Sequence, residues 1–174
     1  MSTVAIELRT TPLVAVLLLG VAAMAMRSVG TWSWAVPVLA AAGVLFTQPR
    51  VSSRSHWLLV TGAGVAAFTV VRAALPGSPV HATALGLFAS AAAGVAEEIV
   101  FRRGLYGALE RWGVPVAIVV SSLVFGLVHA PMYGWPVVPV DVGAGLVLGW
   151  QRWASGTWTS SAVTHVAANL LGAF

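Results

Sequence analysis

An all-α, polytopic transmembrane helix bundle is the fold class this sequence predicts, and two observations carry it. Only 8% of the residues are charged while 59% are hydrophobic, with a mean hydropathy of +0.91; a soluble domain carries roughly 25% charge. The apolar residues also fall in consecutive runs, each suited to crossing about 30 Å of hydrocarbon at ~1.5 Å per residue. These runs use up almost all of the 174 residues, so residues 1–174 are expected to form a single integral membrane domain. The absence of cysteine excludes disulfides, thiolate metal ligands and cysteine nucleophiles. The nine basic residues are all arginine, spread singly without a basic cluster, which argues against a nucleic-acid partner and for membrane lipids as the surroundings.

Taken in order, about seven helices are predicted, three in 1–81 and the rest in 82–174. The first covers Pro12 to Met26; its end, Ala23-Met24-Ala25, imitates a signal-peptide cleavage site but is expected to be retained. The second covers Trp32 to Phe46 and the third Trp57 to Leu75, stopped by Pro76-Gly77-Ser78-Pro79 because proline cannot continue a helix ladder. The fourth starts near Ala82 and runs to about Glu110, where Trp112-Gly113 and Pro115 read as a turn between helices. The fifth covers about Val114 to Ala130 and is closed by Pro131. The sixth covers about Pro139 to Trp153, with Gly143, Gly145 and Gly149 offering a smooth contact face. The seventh runs from about Thr157 to Phe174. Most tryptophans fall near these ends, as rings at the headgroup level would. Arg9, Arg50, Arg54, Arg102, Arg103, Arg111 and Arg152 collect on the N-terminal side, against Arg27 and Arg72 opposite. That bias predicts a cytoplasmic N-terminus.

Ala96-Glu97-Glu98-Ile99-Val100-Phe101-Arg102-Arg103 breaks the apolar pattern. On a helix Glu98 and Arg102 share a face and can neutralise one another, while Glu97 points about 100° away, over the small residues Ser90, Ala93 and Gly94. The fifth helix adds Phe125 and His129 with Ser122 a turn further back; the seventh adds His165 and Asn169 with Ser161. Polar residues on such spans normally face the bundle interior, and each costs a few kcal/mol to place there. Counted from the helix ends, Glu97, His129 and His165 can meet near the middle of the membrane. A carboxylate, two imidazoles and an amide would then surround one water. Asp141, Arg103, Arg72, His56 and His81 read as interfacial charges, Asp141 favoured by a helix N-terminus with an active-site role as its alternative.

Glu97-Glu98-x-x-x-Arg102, Phe125-x-x-x-His129 and His165-x-x-x-Asn169, in this order on successive helices, resemble the CAAX protease and bacteriocin-processing family of intramembrane proteases, also called the abortive-infection family. The resemblance covers about Ala82 to Phe174. It implies an endopeptidase of the membrane, of a bacterial-type cell, acting on a membrane-associated peptide or protein, prenylated or not. Glu97 would be the general base, His129 would hold the attacking water, and His165 and Asn169 would stabilise the oxyanion, with Glu98, Arg102 and Phe125 in support. Glu97, His129 and His165 could also hold a divalent metal such as zinc with an open position for water; metal and metal-free mechanisms both remain open at this point. A non-proteolytic scaffold or immunity protein keeping the fold is the alternative. A proton-coupled transporter is a further rival, disfavoured because the hydropathy shows no inverted repeat.

Overall fold

The computed structural model describes residues 56–74 and 83–172. The first two predicted helices, the Pro76–Pro79 turn, His81 and the sidedness of the N-terminus lie outside the described residues. Five helices are present, without a strand among the described residues: α1 (Trp57–Ala74), α2 (Ala84–Trp112), α3 (Val114–Tyr133), α4 (Val138–Ser155) and α5 (Trp158–Leu170). The first three are long and apolar enough to cross a membrane. Their outward residues are strongly apolar: Leu58, Leu59, Leu85 and Phe88 are all more than 70% exposed, at 77%, 74%, 76% and 72%. Faces of this kind suit hydrocarbon, and the protein is an integral membrane protein.

Each boundary has a local cause. Thr83 caps α2 by accepting the Gly86 N–H at 3.1 Å, and Thr157 caps α5 by accepting that of Thr159 at 3.3 Å. Gly113 turns the chain between α2 and α3 at φ 109°, a conformation that side chains with a Cβ rarely adopt. Within α2 the ladder changes register. Ala84–Glu98 is α-helical, Ile99–Leu105 is a π-helix, and the last turns are Tyr106–Leu109 (α) and Glu110–Trp112 (3-10). The π segment closes with the Tyr106 N–H on the Phe101 carbonyl, one residue further than in an α-helix. It begins directly after the two glutamates.

Apolar side chains of α2 and α3 form the main buried cluster, and polar side chains join the other helices. Gln151 on α4 donates through Nε2 to the Val60 carbonyl of α1 and to Thr164 Oγ1 of α5, both at 2.9 Å. Thr61 and Ser160 join α1 to α5 at 2.9 Å, and Ser161 donates to the Leu148 carbonyl at 2.8 Å. Helices α3 and α4 approach closely: a Cβ on Gly145 would stand 2.9 Å from Ser122 Cα, and one on Gly149 would stand 3.2 Å from Ile118 Cγ2.

Several expectations are corrected. Pro131 does not close α3, which runs to Tyr133. Proline removes only one ladder donor, and the Gly134 N–H bonds the Ala130 carbonyl at 2.8 Å before Gly134, at φ 83°, ends the helix. Gly143 is not on the contact face, since a Cβ there would meet nothing within 4 Å. The last helix ends at Leu170, four residues before the expected Phe174. Arg152, counted with the charges of the N-terminal side, lies inside the bundle at 7% exposure, as does Arg102, the expected partner of Glu98, at 0%. Removing them from the arginine count still leaves five against two.

Candidate active site

Glu97 and Glu98 close the α-helical segment Ala84–Glu98 of α2, where small neighbours let another helix come close. A Cβ on Gly94 would sit 3.1 Å from Asn169 Nδ2 and 3.5 Å from His165 Cδ2, so glycine at this position admits the polar face of α5. Both glutamates are buried, but they meet different partners. Glu98 Oε1 accepts from Arg102 Nη1 and from His165 Nδ1, each at 2.9 Å. Arg102 also donates through Nη2 to the Gly145 carbonyl of α4 at 3.2 Å. This carboxylate and guanidinium therefore tie α2 to both α4 and α5.

Glu97 faces the other way. Its Oε2 stands 3.7 Å from His129 Nε2 and 3.7 Å from His165 Nε2. Those separations exceed the length of a direct hydrogen bond. A cavity of ≈150 Å³ opens there, lined by Ser90, Glu97, Phe125, His129, Asp141 and Asn169 among others. Asn169 is anchored by one amide N–H on the Ser90 carbonyl at 3.1 Å, which leaves the second for a ligand.

The protons on the two imidazoles follow from their partners. A carbonyl can only accept, so His129 Nδ1, 2.7 Å from the Phe125 carbonyl, carries hydrogen. Glu98 already accepts from Arg102, so His165 Nδ1 likewise donates to it. In their neutral forms both rings thus present an Nε2 lone pair towards Glu97. Phe125 fixes the two rings sterically. Its ring packs edge-on against His129 at 4.7 Å and His165 at 5.7 Å, and the Arg102 guanidinium lies 4.5 Å over its face.

All seven residues singled out from the sequence, Glu97, Glu98, Arg102, Phe125, His129, His165 and Asn169, come together around this one cavity or in the cluster directly behind it. Ser122 and Ser161 do not; their hydroxyls bond the Ile118 and Leu148 carbonyls at 2.6 and 2.8 Å and hold helices instead. A family model matches residues 79–171, and its description is type II CAAX prenyl endopeptidase Rce1-like. The chain belongs to this family. The match begins just before α2 and ends just after α5, so the part of the chain that family membership explains is the part that builds the cavity. Comparison with curated proteins finds no match, and comparison with solved structures finds none either.

Two buried charges of this Rce1-like chain were placed at the interface or among the exposed arginines by the sequence reading. Asp141 is not an interfacial charge: it is 3% exposed, borders the cavity, and its Oδ2 stands 3.6 Å from His129 Nδ1. Its cost amid Val140, Val142 and Pro139, in a chain with five acidic residues, was the available signal. Arg152 donates through Nε to the Arg102 carbonyl at 3.3 Å and lies 5.2 Å over the Tyr106 ring. It meets the backbone where the π segment distorts it, a contact that periodicity does not reveal.

The donor set also suits a divalent cation chemically. Glu97 Oε2 and two imidazole Nε2 atoms converge while both Nδ1–H groups are held by acceptors, as on metal-ligating histidines. As placed, however, no three His, Asp or Glu side chains among the described residues enclose a metal position.

Proposed function

We propose that the protein is an intramembrane endopeptidase that hydrolyses a peptide bond of a membrane-associated peptide or protein, prenylated or not, with Glu97 as general base. The observation that supports it most is that His129 and His165 each stand 3.7 Å from the buried Glu97 beside a cavity, in a family of CAAX prenyl endopeptidases. Glu97 takes a proton from water, and the hydroxide forms a bond to the scissile carbonyl carbon. The tetrahedral intermediate then collapses as Glu97 returns that proton to the leaving amine. His129, its tautomer fixed by the Phe125 carbonyl, orients the water through Nε2. Asn169 offers its second amide N–H to the oxyanion. His165, held by Glu98 through Nδ1, joins it as a donor when Nε2 carries a hydrogen.

A divalent cation such as zinc would be held by Glu97, His129 and His165, and would supply Lewis-acid polarisation of the same water. Activity that disappears on dialysis against a chelator and returns with zinc assigns the metal; activity that survives assigns the metal-free route.

The test of the reading is Glu97→Gln. Cleavage of membrane and secreted peptides, compared by mass spectrometry between cells carrying the two forms, is expected to lose specific products in the variant. In proteoliposomes the rate on any such peptide should fall by about 10³-fold or more. Products that persist unchanged would remove the endopeptidase and favour the scaffold reading.

A further inference from the structure

The roles above leave Asp141 unused. It sits in the first turn of α4, which softens the cost of its charge through the helix dipole but supplies no side-chain donor. The nearest donor nitrogen, His129 Nδ1, is 3.6 Å away and gives its hydrogen to the Phe125 carbonyl at 2.7 Å instead. Among the described residues no side chain donates a hydrogen bond to this carboxylate, and no arginine pairs with it. Arg102, the fully buried guanidinium of the site, is committed to Glu98. The cavity therefore presents two carboxylates, Glu97 and Asp141, with only imidazoles between them. A buried carboxylate that faces only an imidazole at 3.6 Å and receives no hydrogen bond from a side chain is costly, and the cost is relieved when a cation enters.

The cavity volume of ≈150 Å³ accommodates the attacking water together with a small cationic group, since a water's share is about 30 Å³. Tyr133 lines the same cavity at 57% exposure and stacks on His129 at 6.0 Å, setting an aromatic face where a cation would enter. Asp141 and Glu97 flank opposite nitrogens of one imidazole, at 3.6 and 3.7 Å. The span between the two carboxylates is thus about two or three residues of extended chain, at ~3.3–3.6 Å each.

We propose that Asp141 is a specificity-determining residue that receives a cationic group of the substrate, the ammonium or guanidinium of a residue within three positions of the bond cleaved. This rests on the endopeptidase reading and adds a substrate class to it: membrane-associated peptides carrying a basic residue beside the scissile bond.

The experiment uses the full chain in nanodiscs and a set of farnesylated peptides in which Lys, Arg, norleucine or Glu is scanned through every position. Copies with free and acetylated N-termini distinguish a side-chain cation from a terminal amine. Cleavage is read by mass spectrometry. The wild type is expected to prefer Lys or Arg over norleucine by roughly 100-fold at one fixed distance from the cut. Asp141→Asn should bring that ratio near unity, and Asp141→Lys should shift the preference to Glu. Binding of the same peptides to Glu97→Gln, with and without Asp141→Asn, is read in parallel by fluorescence anisotropy. A cation preference in binding that vanishes with Asp141→Asn, in protein whose wild type cleaves none of the peptides, keeps this assignment and removes the peptidase. Charge-indifferent binding and cleavage would overturn it. So would an unaltered Lys-to-norleucine ratio in Asp141→Asn, or titrated zinc that binds the wild type and not that variant, since the cation would then be a metal.

Discussion

The Glu98 carboxylate receives two donors at 2.9 Å, whereas the Glu97 carboxylate beside it in sequence faces two imidazole nitrogens at 3.7 Å across a cavity. The first environment is closed: Glu98 Oε1 takes both donors and Arg102 reaches the Gly145 carbonyl, while Glu98 Oε2 and Arg102 Nε stay buried without a hydrogen bond, and the cluster holds three helices in register. The second is open, with acceptors arranged around a space and their tautomers set from behind. One residue step, about 100° around the helix, thus separates a carboxylate tied into the helix contacts from one that borders the cavity. His165 belongs to both, with Nδ1 on Glu98 and Nε2 towards Glu97. Order in the closed cluster is what keeps the open one aligned.

Substitutions in the closed cluster should therefore cost stability first. The largest effect is expected for Arg102→Met, which leaves Glu98 buried without its guanidinium; unfolding in mixed detergent micelles should show a loss of about 3–5 kcal/mol. Gly145→Ala comes next, because its Cβ would press into Ser122 and shift the carbonyl that Arg102 uses; overpacking of this kind costs about 1–3 kcal/mol in the same assay. Phe125→Leu should cost about 1 kcal/mol of stability. The loss of ring contacts to both histidines should nevertheless lower the cleavage rate, and a rate unchanged beside a lower stability would show that Phe125 does not orient them. Gly143→Ala, two residues from Gly145 but facing open space, should stay within about 0.5 kcal/mol of the parent.

Much of this was legible because apolar sequence makes charge conspicuous. Glu97, Glu98, Arg102, His129 and His165 stood out by cost alone, and helical spacing correctly separated the two glutamates and paired Glu98 with Arg102. The turn at Gly113 was legible because its chemistry is local, whereas Pro131 misplaced the end of α3. Asp141 was misplaced because a carboxylate in a helix's first turn is usually a dipole partner; its burial depends on how α4 lies against α3, which spacing within one helix does not encode. The π segment was invisible for a related reason. Ile99–Leu105 carries no proline, and its altered ladder is supported by a contact from Arg152, some fifty residues on. The smooth face of α4 was read correctly at Gly145 and Gly149 and wrongly at Gly143, since three glycines in seven residues cannot all face one neighbour.

The division of labour between the two carboxylates is tested most directly by measuring cleavage rate and unfolding free energy on the same preparations of Glu97→Gln and Glu98→Gln. The account predicts a crossing: Glu97→Gln loses cleavage by about 10³-fold or more while its unfolding stays close to the wild type, and Glu98→Gln loses several kcal/mol of stability, with activity falling as a consequence. Two variants that lose stability together, or a Glu97→Gln protein that still cleaves, would contradict it.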